Sequence, residues 1–229
     1  MSRAVFPDLF CGDALDALEL RELHRLASQI YLRSGATIFT EGRVAEEVFG
    51  VSQGIVRLYK LLPDGRRQVL AFALPGDFLG MPLVERYKFS VDAIGDVTLC
   101  RFERAELTKF IQSSPNIMRR LIEFAIRQLD MAQDQLLLLG NGSAEERVAT
   151  FLVSWRDRLA RITSPSEAVP LPMRRQDIAD FLGLKLETIS RTLAKLEQKN
   201  AIRVVPKGVF LTGLERMHLI TGRHLPAQA

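Results

Sequence analysis

Between Arg174 and Asn200 two short helical periods are separated by a single glycine, and few folds satisfy that pattern. Ile178, Ala179 and Leu182 share one face of a helix over Arg175–Leu182. Leu186, Ile189, Leu193 and Leu196 step by three, four and three along a second helix from about Leu186 to Lys199, and this stripe is expected to pack on the first helix. Gly183 supplies the tight turn between them, and the small Ala179 lets the two helices approach closely. The arrangement predicts a helix-turn-helix. Behind it, Ile202–Val205 and Val209–Thr212 flank Pro206-Lys207-Gly208, which predicts a small β-hairpin with a basic tip, a wing.

The opposite face of the second helix is polar. Glu187, Ser190 and Arg191 lie at i, i+3 and i+4 and therefore project together near the helix N-terminus. That end of such a helix enters a DNA major groove. Arginine can bond guanine O6 and N7 with both arms of its fork, glutamate can accept from cytosine N4, and serine adapts to either. Arg175, Lys185, Thr188, Lys195 and Lys207 surround these three and suit phosphates, which position a protein without specifying sequence. The plainer reading makes Glu187 and Arg191 a surface ion pair worth a few tenths of a kcal/mol. Charge favours the first reading. From Leu171 onward ten Lys and Arg face five Asp and Glu, whereas the rest of the chain is nearly neutral, so the basic excess is confined to this end.

Upstream the period changes twice. Asp13–Gln29 carries leucines at helical spacing and reads as a short amphipathic helix. From Ile30 to about Phe102, glycines recur between short β-rich runs such as Thr37–Phe39, Val48–Val51, Ile55–Leu61 and Gln68–Leu74, and Pro63-Asp64-Gly65 is a hairpin signal. This predicts an all-β roll or sandwich. After a short helix over Ala105–Ser113, Ser114-Pro115 starts a long helix to about Leu139. Its residues Met118, Ile122, Ala125, Leu129, Ala132, Leu136 and Leu139 alternate steps of four and three and are all apolar. So regular a seam favours a parallel coiled-coil homodimer over a long core helix. Gly140-Asn141-Gly142 ends it, and Ser143-Ala144-Glu145-Glu146 is a capping box for the next helix. The expected division is 1–114 for the N-terminal helix and roll, 115–139 for the dimer helix and 140–229 for the winged helix-turn-helix.

This order of elements resembles the Crp/Fnr superfamily of bacterial transcription regulators over nearly the whole chain. The resemblance implies an α+β fold: a cyclic-nucleotide-binding-like β-roll, a coiled-coil dimerisation helix and a C-terminal winged helix-turn-helix. The stretch Asp177–Arg191 is similar to the Fnr/FixK branch, whose Glu-x-x-Ser-Arg signature falls here on Glu187, Ser190 and Arg191. The implied function is a DNA-binding regulator, an activator, that recognises a palindrome of the TTGAT-N4-ATCAA type with RNA polymerase as a further partner. Its implied targets are genes for microaerobic or anaerobic respiration and nitrogen oxide metabolism. In FixK-like members the sensor pocket looks vestigial, and activity follows protein level. One departure is Lys185, where the branch commonly has Thr as helix cap. Exposed loops near Pro63–Arg67 and Glu85–Lys88 are candidate polymerase contacts.

The resemblance also sets tests for the sensor region. Nucleotide-binding members carry a Glu for the ribose and an Arg for the phosphate. Here Met81 and Phe89 stand in those places, which would leave a buried phosphate without its cation, and no cyclic nucleotide is expected. An iron–sulfur cubane needs four thiolates, whereas the chain has two cysteines, Cys11 and Cys100. A redox pairing of these two, or a haem, remains the alternative sensor chemistry, although His24, His218 and His224 give no obvious axial ligand. A scaffold that binds no DNA is the alternative of another class. No Gly-x-Ser-x-Gly elbow, phosphate loop or His-Glu-x-x-His is present, and the sequence is not expected to be an enzyme. With no long apolar run and no secretory signal, a cytoplasmic protein without membrane contact is expected.

Overall fold

The structure, a computed structural model, describes residues 17–81, 83–163 and 168–221. The chain divides into two compact units, Met1–Asp130 and Met131–Ala229. In the first, helix α1 (Ala17–Leu26) leads directly into strand β1 (Ala27–Leu32). The helix therefore stops short of Gln29, because Ala27 to Leu32 pair antiparallel with Phe102 to Val97. Residues 13–16 of the expected helix lie outside the described residues. Strands β2 (Thr37–Phe39), β3 (Glu47–Leu61), β4 (Arg67–Ala73), β5 (Phe78–Leu79) and β6 (Ser90–Glu103) complete an antiparallel roll in the order β1-β6-β3-β4, with β2 on β6 and β5 on β3.

The two short runs expected at 48–51 and 55–61 form one strand, β3, irregular in register between Val51 and Ile55. Gly54 makes this continuity feasible. Its φ is +84°, and a Cβ there would lie 2.5 Å from the Asp96 carbonyl oxygen, so no other residue fits without displacement. The Pro63-Asp64-Gly65 turn joins β3 to β4 as expected, closed by Leu62 N–H donating to Arg66 O at 2.8 Å. Alternation along β3 and β6 places Val56, Leu58, Val91 and Ala93 in the apolar interior with Phe39, Phe49, Tyr87 and Phe89. Arg57 and Asp92 alternate to the other side of the sheet, where they form a buried bidentate pair, 7% and 9% exposed.

Helix α2 (Arg104–Ser113) is followed by α3 (Pro115–Asn141). Ser114 caps α3, with its Oγ accepting from Ile117 N–H, and Pro115 occupies the first position, where no N–H is required. Ile117 and Leu121 are buried against Leu23, Cys100, Phe102, Leu107 and Ile111, and Met118 and Phe124 pack at the edge of that cluster. Met118, expected in the seam, is thus partly occupied by its own unit. The division between units falls inside α3, since its first half packs on the roll and its last turns on the helices that follow.

The second unit begins with α4 (Ala144–Ala160). Its capping box is complete: Ser143 N–H donates to Glu146 at 2.6 Å and Glu146 N–H to Ser143 Oγ at 3.2 Å. Val148, Ala149, Phe151, Leu152, Trp155 and Leu159 on this helix form much of the core. Strand β7 (Ala168–Pro170), helices α5 (Arg175–Leu182) and α6 (Leu186–Gln198), strands β8 (Arg203–Val205) and β9 (Gly208–Phe210) and helix α7 (Leu214–Thr221) follow. The small sheet has the order β7-β9-β8. Among the described residues, no helix is long and apolar enough to cross a membrane.

Candidate nucleic-acid interface

Gly183 ends α5 with φ +62°, and the N–H groups of Gly183 and Leu184 both turn back to the Ala179 carbonyl. This left-handed cap redirects the chain so that α6 starts after three residues. Lys185 is the N-cap of α6 and makes no side-chain cap bond, in keeping with its departure from the branch's threonine. Ile189, Leu193 and Leu196 are buried against α5 and α4, together with the Thr192 side chain. Leu186, the first residue of α6, is not, being 39% exposed.

The outward face carries the expected groups. Glu187 and Arg191 are exposed and Ser190 half-buried, all within the N-terminal half of α6. Among the described residues, Glu187 and Arg191 are not bonded to one another, so the plain i,i+4 ion pair is not formed. Arg175 Nη1 donates to Ser190 Oγ at 3.4 Å, which brings the first helix's cation beside the outward row of α6. Thr188 is half-buried next to exposed Lys185.

The wing is tied to the same helix. Val204 N–H donates to Glu197 Oε1 at 2.7 Å, and the Arg203 guanidinium lies 4.5 Å from the centre of the Phe210 ring. At its tip Lys207 is exposed with φ +63°, a conformation few non-glycine residues adopt. Its carbonyl accepts from Leu171 N–H at 2.8 Å, fixing the tip to the chain that follows β7.

Lys195, expected beside phosphates, is exposed and carries an ion pair within its own unit. Its Nζ lies 2.6 Å from Glu145 Oε2, and Lys199 Nζ bonds the other oxygen of the same carboxylate. Neither Glu145 nor Lys199 stood out in the sequence, since nothing local joins two residues some fifty positions apart. Arg147 was also missed. Its guanidinium donates to the carbonyls of Leu139, Gly142 and Leu182, joining the end of α3 to the end of α5, and Gln135 Nε2 donates to Phe181 O. Leu139, expected in the seam, is half-buried near the Gly183 turn. The seam positions between, Ile122, Ala125, Leu129, Ala132 and Leu136, are exposed, with Ile126 widening the apolar face.

Residues 29–114 match the cyclic nucleotide-binding domain family, and residues 146–220 match the Crp-like helix-turn-helix domain family. The chain is 50% identical over 221 residues to the nitrogen fixation regulation protein FixK of Bradyrhizobium diazoefficiens, covering 92% of this chain and 93% of that one. It belongs to the Crp/Fnr family. It is also 54% identical over 199 residues to the transcriptional activatory protein AadR of Rhodopseudomonas palustris, covering 87% and 83%. The solved structure of FixK2 from Bradyrhizobium japonicum superposes with a TM-score of 0.80 at 36% identity, covering 88% of this chain and 99% of that one. The FixK and AadR relatives are named as regulators, not enzymes.

The two sensor-side positions singled out in the sequence, Met81 and Phe89, are both placed against apolar clusters. Phe89 packs against the aromatic interior of the roll and Met81 against the cluster beneath α3, so both positions where charged contacts would stand are apolar. Cys100 is 1% exposed, and Ser52 Oγ lies 3.1 Å from its sulfur. Burial pushes its thiol up, against the smaller pull of that hydroxyl. Cys11 lies outside the described residues, as does His224. His24 is exposed, its Nδ1 beside the Leu20 carbonyl of its own helix, and His218 belongs to the second unit. A four-thiolate cluster exceeds the chain's two cysteines.

Proposed function

We propose that the protein is a sequence-specific DNA-binding transcription activator that works as a homodimer joined along α3. It reads a TTGAT-N4-ATCAA-type palindrome and requires no cyclic nucleotide, haem or iron–sulfur cluster. The observation that carries this reading is the joint presentation of Glu187, Ser190 and Arg191 on the outward face of α6, with Arg175 beside them and a basic wing behind. Arg191 is assigned to guanine, Glu187 to cytosine N4 and Ser190 to an adjacent base edge. Arg175, Lys185, Thr188 and Lys207 take phosphates.

Two half-sites one turn of DNA apart, about 34 Å, require a two-fold partner. The exposed apolar row Ile122, Ala125, Ile126, Leu129, Ala132 and Leu136 is the face that a second copy would cover. Target genes for microaerobic or anaerobic respiration and nitrogen oxide metabolism, and a cytoplasmic location, follow from the FixK-type resemblance. RNA polymerase is the proposed second partner, through the exposed loops at 63–67 and 85–88, whose one buried side chain is Tyr87.

Fluorescence anisotropy of ligand-free protein on TTGAT-N4-ATCAA, against a scrambled duplex in about 150 mM salt, tests the reading. Tight binding to the target and weak binding to the scramble is the expected result. Equal binding to both would overturn the assignment of the half-site.

A further inference from the structure

Glu145 stands in the first turn of α4, whereas Lys195 and Lys199 lie on the last turns of α6 and at its C-cap. One carboxylate holds both ammonium groups, one on each oxygen. The Glu145 side chain is 14% exposed, against 59% and 48% for the lysines, so the acid is the shielded member that draws the two cations inward. Lys195 follows Arg191 by four residues and therefore extends the base-reading row toward the flank of a bound duplex. A free lysine there would meet phosphates, which add affinity whatever the sequence.

We propose that Glu145 is a specificity-determining residue: it retains Lys195 and Lys199 and so restrains sequence-independent binding to DNA. On a target site the base contacts fix the pose of α6, and released lysines gain only what that pose allows. On other sequences no pose is fixed, and the gain is complete. Glu145 therefore acts mainly on the competitor complexes. The two lysines also hold its carboxyl below the usual carboxylate range, so the latch stays charged through neutral pH. The proposal rests on the DNA-binding reading above.

The test measures anisotropy on target and scrambled duplexes over about 50 to 300 mM salt for the wild type, Glu145→Gln, Lys195→Met and the double variant. Glu145→Gln is expected to bind the scramble about fivefold tighter or more, with a salt slope steeper by about 0.9 for each additional phosphate neutralised. The target should gain less, and adding Lys195→Met should return much of the slope. In the wild-type background Lys195→Met should leave the slope unchanged, a measurement that stands even where Glu145→Gln folds poorly. Unchanged scramble affinity and slope in Glu145→Gln, equal gains on both duplexes, or a wild-type slope flattened by Lys195→Met would each overturn the proposal. A wild type that binds neither duplex at low salt would overturn both readings, whereas loss of the latch effect alone leaves DNA binding standing.

Discussion

Arg57 and Asp92 are the residues at which a single change should damage the roll most. Both are buried, and two parallel bonds pair their opposite charges. Asp92→Ala leaves a guanidinium without its counter-charge and is expected to cost about 3–5 kcal/mol in chemical denaturation, whereas replacing both by apolar residues of similar volume should recover most of that. At the other end of the chain Arg191→Ala should leave stability unchanged, because the side chain is exposed. It should weaken target binding by about 1–3 kcal/mol and relax preference at one base pair, read by anisotropy on single-substituted duplexes. The shared outward face of Glu187, Ser190 and Arg191 was legible in the sequence because the arrangement is local: three positions on one helix, set by the 3.6-residue repeat. Lys195 was not. Its partner Glu145 comes from a distant helix, and only folding brings the two together.

Among the elements, α3 carries the sharpest expectation. Its outward row includes Ile122 at 55%, Leu129 at 57% and Leu136 at 70% exposure. A charge at Leu129 would be desolvated in a dimer and costs nothing in a monomer. Leu129→Glu should therefore keep the fold and shift sedimentation at micromolar concentration from dimer to monomer, with target binding lost alongside. The seam's regularity foretold the helix, but not which part of it faces outward. Met118 and Leu139 satisfy the same heptad spacing, yet each is half-buried within its own unit, since periodicity marks an apolar stripe and not what covers it. The joining of two expected strands into β3 has a similar cause. Gly54 looks like a turn residue, but the closeness of Asp96 and Val97 shows that the chain passes straight through. Strand β7 and helix α7 lacked strong local signals and form by packing on β9 and α4.

For the molecule as a whole, acid should stress both units, since hydrogen bonds hold Glu22, Asp64 and Asp96 low in the first as others hold Glu145 and Glu146 low in the second. Glu145 is held low by bonds to Lys195 and Lys199, and Glu146 by the N–H of Ser143. Groups whose folded values lie below their unfolded ones contribute fully above the ordinary carboxylate value of 4.5 and lose that contribution as pH falls through the lowered values. Denaturation midpoints followed by the fluorescence of Trp155, the chain's one tryptophan, should hold above that value and fall below it, and Glu145→Gln should flatten the fall. The sequence alone determined the order of roll, long helix and winged helix-turn-helix, the family, and the outward row of α6. The order of elements and the outward row rest on short-range periodicity, turn glycines and caps, which act within a few residues, and the family rests on the resemblance of that order and of Asp177–Arg191 to Crp/Fnr regulators. Tertiary structure alone decided the pairing of Arg57 with Asp92, the Arg147 clasp between α3 and α5, and the retention of Lys195 by Glu145. Those are contacts between groups far apart in the chain, and their energy depends on burial and distance, which no local spacing records.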